Sequence, residues 1–114
     1  MLAKAGMCHD GDYDLVSIAG AGKDLLSKNS AERDFILKQI NISKKLHDMK
    51  IVYVLMHDNC GAYGISDALK EYDVQVRDLR QIKSELSTAV PGVEVKGFIV
   101  KGVSIGMLSI EPVA

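Results

Sequence analysis

The chemistry available to this chain is concentrated in two short stretches, Met56-His57-Asp58-Asn59-Cys60-Gly61 and Met7-Cys8-His9-Asp10. Imidazole nitrogen and cysteine sulfur are borderline to soft metal ligands, and His57-x-x-Cys60 puts one of each in a single turn. Cys8 is the only other cysteine. A histidine that ends a strand and a cysteine that packs in a turn produce the same spacing, so the pair acquires meaning only from its setting.

That setting is a strand end. Ile51-Val52-Tyr53-Val54-Leu55-Met56 is a continuous apolar run, as expected of a strand buried on both faces. In α/β folds the chemistry lies at the carboxyl ends of such strands, which is where His57 falls. A second strand is expected over Tyr13-Asp14-Leu15-Val16-Ser17-Ile18-Ala19, ending in Gly20-Ala21-Gly22. Those glycines allow a tight turn or a close backbone approach. The run Gly20 to Asp24 fails as a phosphate-binding loop. Ser17 stands where the first glycine is required, and Asp24 where a serine or threonine is required.

Helical spacing accounts for most of the rest. Met1 to Met7 has helix-forming composition, with Gly6 as a stop. Lys23 to Lys28 forms one or two helical turns. Asn29 and Glu32 then resemble a capping box, opening a helix that runs to about Asp48. Phe35, Ile42, Leu46 and Met49 fall near one face of it, with Ile36 and Ile40 widening that face. Ser66 is expected to cap a short helix through Leu69 or Tyr72. A separate helix carries Val76, Leu79, Ile82, Leu86 and Val90 until Pro91-Gly92 ends it. Val93 to Val100 reads as a second strong strand, and Val103 to Ile110, broken by Gly106, as a weaker edge segment. The order α, β, α, β, α, α, β, β predicts an α/β fold: three layers, α-β-α, around a mainly parallel sheet.

Charge and composition exclude several function classes. The 114 residues include 14 basic and 15 acidic side chains, a formal charge of -1, which offers no electrostatic reason to bind nucleic acid or an anionic membrane. The longest apolar run is too short to span a bilayer, and the first residues lack the apolar core of a secretion signal. A cytoplasmic protein with reduced cysteines, forming one domain over residues 1–114, is the expectation.

Taken together, these stretches resemble the β-class carbonic anhydrases. Ile51 to Gly64, a strand followed by His-Asp-Asn-Cys-Gly-Ala-Tyr-Gly, is similar to that family's second zinc motif, H-x-x-C-G. Asp14 to Gly22 is similar to its second strand and alanine-glycine turn, and the helix ending in Ser43-Lys44-Lys45-Leu46-His47 suits the position before the zinc-binding strand. The resemblance covers roughly residues 12 to 100. It implies zinc held by two cysteines and one histidine, a homodimer or higher homo-oligomer, and hydration of carbon dioxide to bicarbonate. His57 and Cys60 match two of the three ligands. Gly20, Gly22, Asp58 and Gly61 would shape the pocket.

The third ligand of the family comes from C-x-D-x-R at the end of its first strand. Cys8-His9-Asp10 supplies C-x-D, but Asp12 stands in place of the arginine. In one register, therefore, Cys8 completes the site. In another, Met1 to Gly6 is the tail of the helix between strands one and two, Cys8 is a loop thiol, and the first strand is missing from the chain. Only a few residues separate Cys8 from the next strand, whereas a parallel crossover needs about a dozen, so the second register is favoured. On that register the domain is either a lyase whose third ligand is supplied elsewhere or a non-catalytic module for binding or assembly with an incomplete metal site. Of the remaining candidates, His47 is expected to stabilise the last carbonyls of its helix and His9 to be solvated, while Asp58 bonds backbone donors or orients a ligand. Tyr63 lines a pocket or packs.

Overall fold

The computed structural model describes residues 13–103 and 105–114. Cys8, Asp10, Asp12 and the helix expected at the start of the chain lie outside the described residues. A 3-10 helix, Ala21–Leu26, is followed by α1 (Ser30–His47), β1 (Ile51–His57), α2 (Ala68–Ala89), β2 (Glu94–Lys101) and β3 (Ser109–Pro112). The fold is α/β. Its described sheet has three strands in the order β1-β2-β3 and is mixed rather than mainly parallel: β1 and β2 are parallel, β2 and β3 antiparallel. No helix among the described residues is long and apolar enough to cross a membrane.

Register explains where the core lies. Val52 pairs with Val95, Val54 with Gly97 and Met56 with Ile99, so these six side-chain positions share one face. Val54, Met56, Val95 and Ile99 are buried there with Leu79, Ile82 and Leu86 of α2. Gly97 lets α2 approach: a Cβ at that position would lie 3.3 Å from the Cβ of Leu79. On the opposite face Tyr53 and Phe98 pair their rings, with centroids 6.0 Å apart. Pro112 can close the ladder because β3 is an edge strand among the described residues and needs no outward donor.

Both long helices begin at well-made caps. Asn29 accepts the N–H of Ala31 at 3.0 Å. The expected capping box is relayed: Glu32 accepts from the Ser27 hydroxyl at 2.5 Å, and Ser27 Oγ accepts the N–H of Asn29. In α2 the cap is Asp67, not Ser66, accepting from Leu69 and Lys70. The helix runs unbroken through the expected gap after Tyr72. It makes one 22-residue element where two were expected, because nothing in Asp73-Val74-Gln75 breaks helical geometry.

Two expectations fail for tertiary reasons. Tyr13–Ala19 carries a strand-like pattern but belongs to no strand. Leu15 is 74% exposed, and the segment is tied to α1 by Asp14, which accepts from Ser43 at 2.6 Å and contacts His47 Nδ1 at 2.9 Å. His47 thus binds an aspartate instead of the helix-end carbonyls. The α1 face is also displaced. Ile36 is buried and Leu37 and Ile40 pack on the core, whereas Phe35 and Leu46 are 55% and 67% exposed. The cause is the partner, since α1 packs mainly on the 3-10 helix and not across the sheet.

Gly22 sits buried beneath β1 and α2, where a Cβ would meet Val54 Cγ1 at 2.8 Å and Ile82 Cδ1 at 3.1 Å. Gly61 has nothing within 4 Å of the same construction. Gly22→Ala is therefore expected to destabilise by about 1 to 3 kcal/mol through overpacking, offset only in part by the roughly 0.4–1 kcal/mol gained from a stiffer unfolded chain. Gly61→Ala should lie within about 0.5 kcal/mol of the parent. Urea midpoints of the two variants check this; equal midpoints would overturn it.

Candidate functional site

β1 ends at His57, and the chain turns away from the sheet within four residues. Asp58 N–H still reaches Val100 O at 2.9 Å, which extends the parallel ladder by one bond. Asn59 then takes a left-handed conformation, φ 51°, and reverses the chain, a geometry asparagine tolerates. Cys60 follows, 6% exposed, as a free thiol. Its carbonyl accepts from Tyr63 at 3.1 Å and Gly64 at 3.3 Å, so the turn closes on itself.

The turn is fastened from α2 by a buried carboxylate. Glu71 Oε1 accepts the N–H of Asn59 at 2.7 Å, and Oε2 accepts that of Cys60 at 2.9 Å. One turn further along the helix, Gln75 Nε2 donates to His57 O at 2.8 Å. Three residues beyond, Asp78 accepts the Tyr63 hydroxyl at 2.8 Å; that hydroxyl also lies 3.3 Å from Met56 Sδ. Burial first, and the Asp78 carboxylate second, push the Tyr63 hydroxyl far above the usual tyrosine range. Glu71, Gln75 and Asp78 all belong to the buried face of α2.

His57 is oriented by its own neighbour. Its Nδ1 lies 2.7 Å from Asp58 O, and because a carbonyl only accepts, Nδ1 carries the proton. Nε2 has no hydrogen-bond partner among the described residues. This is the tautomer and second-shell contact that a histidine ligand uses. Asp58 itself faces the other way. Its carboxylate accepts Gly102 N–H at 2.9 Å and Val103 N–H at 3.1 Å, pinning the loop between β2 and β3.

The glycine turn lies against this construction. A Cβ on Gly20 (φ 78°) would sit 3.3 Å from the Cβ of Ala62, and Lys23 Nζ donates to Ala62 O at 2.7 Å. The same ammonium stands 5.1 Å from the Tyr63 ring centroid, a cation–π contact. Gly20 thus meets the turn, Gly22 lies under β1, and Gly61 faces open space. His57 and Cys60 supply an imidazole and a thiol of the kind zinc takes. Among the described residues no three His, Cys, Asp or Glu side chains form a group able to hold a metal ion. Cys8 lies outside them.

Glu71, Gln75 and Asp78 were missed by sequence reasoning, although a signal exists. Their spacing of four and three continues into Leu79, Ile82 and Leu86, so they are the polar end of the same buried stripe.

Removing the Glu71 carboxylate leaves two N–H groups unmet, one of them on a buried residue. Glu71→Ala is expected to cost about 2 to 4 kcal/mol in urea unfolding, on the usual range for an unsatisfied donor and a charge-assisted bond. A loss under about 0.5 kcal/mol would refute this. Asp58 gives a pH signature. Its bond from Gly102, followed by those from Val103 and the His57 charge, holds its pKa below the ordinary 3.8. The loop contact is therefore fully present above that value and is lost as pH falls through the lower, folded pKa. Amide shifts of Gly102 and Val103 should titrate on the acid side of 3.8 and become flat in Asp58→Asn.

A protein-family model described as “putative carbonic anhydrase” matches residues 7–109 of this chain. No curated protein and no solved structure matches it. The match spans the turn, both helices and the parallel strand pair that position His57 and Cys60, and on it the chain belongs to this carbonic anhydrase-like family.

Proposed function

We propose that the His57–Cys60 turn is a zinc corner and that the protein hydrates carbon dioxide to bicarbonate once a third ligand is supplied, Cys8 being the other cysteine of the chain. The observation that supports this reading is the state of His57: Nδ1 is committed to Asp58 O, and Nε2 is left without a described partner. A ligand histidine needs that division of labour. Cys60 is held on the same turn by Glu71, so both donors ride on one backbone segment fixed to α2.

The chain's own residues have definite tasks in this reading. Glu71 and Gln75 hold the turn, Asp58 O sets the imidazole tautomer, and the burial of Cys60 limits its contact with bulk water. Zinc held by His57, Cys60 and a third ligand would leave a fourth position and supply an acidified water for addition to carbon dioxide.

A second reading has its own support. Both carboxylates nearest the corner are spent on structure, Asp58 on Gly102 and Val103 and Glu71 on Asn59 and Cys60. A fold retained as a binding or assembly module would use them in that way, with an incomplete metal site.

Metal content and turnover separate the two. The catalytic reading expects about one zinc per chain after gentle loading, by elemental analysis, and hydration above the buffer rate by stopped flow. Cys60→Ser and His57→Ala should each lower zinc content and reduce hydration by about a hundredfold, the scale for loss of a metal ligand or its support; Cys8→Ser does the same where Cys8 is the third ligand. Zinc below about a tenth of an equivalent at saturating supply, in a chain that still folds, would leave the module reading.

A further inference from the structure

A cleft of about 670 Å³ opens behind the His57 turn, between the start of α2 and the carboxyl end of the sheet. Ile65, Leu69 and Ile99 supply apolar lining, and Asp58, Glu71 and Gln75 supply polar lining. Neither His57 nor Cys60 lines it, so its occupant is independent of the zinc reading.

Several donors and acceptors around this cleft are already paired. Asp67 takes the N–H groups of Leu69 and Lys70, Glu71 those of Asn59 and Cys60, and Asp58 those of Gly102 and Val103. The cation in the lining, Lys101, is held by Glu111 at 2.6 Å and lies over the Tyr72 ring. One buried acceptor among them is unmet. Gln75 is 1% exposed, its Nε2 is committed to His57 O, and its Oε1 has no hydrogen-bond partner among the described residues. The amide orientation is fixed, because the carbonyl it faces can only accept. Each oxygen of Asp58 and Glu71 also keeps a lone pair beyond the one N–H it receives.

A spare buried acceptor beside two carboxylates disfavours an anion. This arrangement selects a ligand that brings its own N–H groups. We propose that the cleft binds a small organic cation with N–H donors on a short apolar body, a primary alkylammonium being the simplest case. One N–H meets Gln75 Oε1, and the alkyl part lies against Ile65, Leu69 and Ile99. Because Oε1 has almost no accessible surface, the donor reaches it only as side chains of the cleft lining move aside.

The test is a titration of the full chain, followed by the Gln75 side-chain amide and the Asn59 and Cys60 backbone amides in NMR. The probes are n-butylammonium, tetramethylammonium and butyrate at constant ionic strength. The proposal expects saturable shifts with n-butylammonium alone, with a dissociation constant of about 1 mM, as suits a fragment of this size. Gln75→Met should weaken that binding about tenfold. Leu69→Arg places a cation at the cleft from a side chain that is 78% exposed, leaves the core untouched, and should weaken it similarly. Equal shifts with tetramethylammonium, tighter binding of butyrate, no saturable shift, or unchanged affinity in Leu69→Arg would each overturn the proposal.

Discussion

One carboxylate decides the shape of the functional end of this protein. The backbone after β1 must leave the sheet, and its N–H groups lose their ladder partners as it does so. Glu71 supplies replacements for two of them, at Asn59 and Cys60, from a position where it is itself only 4% exposed. A buried carboxylate is tolerable only when its oxygens are hydrogen-bonded, and a buried N–H only when it has an acceptor. Each requirement answers the other. The turn that carries His57 and Cys60 therefore has one well-satisfied geometry, and α2 cannot rotate about its axis without abandoning it.

The other contacts at this end extend the same logic. Gln75 holds the carbonyl of His57, and Asp78 holds the hydroxyl of Tyr63, each about a helical turn further along α2. Asp58 carries the connection across the sheet to the loop after β2, and Lys23 carries it back to the glycine turn through Ala62 and Tyr63. Segments distant in sequence are thus fastened to a turn of a few residues. An orienting frame of this kind suits a site whose donors must be held in place, and it also suits a scaffold with no chemistry at all. The Nε2 of His57, without a partner among the described residues, is what supports the proposed metal reading.

Legibility differed by element. β1 and β2 announce themselves as apolar, β-branched runs, and the stripe Leu79, Ile82, Leu86, Val90 is buried as its spacing predicts. His57 and Cys60 were visible from their place at a strand end, and the likeness to carbonic anhydrases carried by that turn agrees with the family match. Tyr13–Ala19 misled because alternation shows only that a segment suits a strand, and pairing depends on an edge being there to receive it. Phe35 and Leu46 misled because an amphipathic helix has a face but does not name the surface it meets. Glu71, Gln75 and Asp78 were overlooked because a buried stripe is sought among apolar residues, and its polar end looks like solvent-facing helix.

By itself the sequence determined the local units: strand-forming runs, helix starts at Asn29 and, to within a residue, at Ser66, the stop at Pro91-Gly92, and a histidine and a cysteine in one turn. These follow from backbone propensity and side-chain spacing, which act over a few residues. Tertiary structure alone decided which polar groups went inside and what they would hold. Glu71 lies 11 residues from Cys60, and Asp58 lies 44 from Gly102. No local preference measures those separations. Only packing α2 against the end of the sheet removes water from these groups, and only then does each unpaired donor have to find its acceptor.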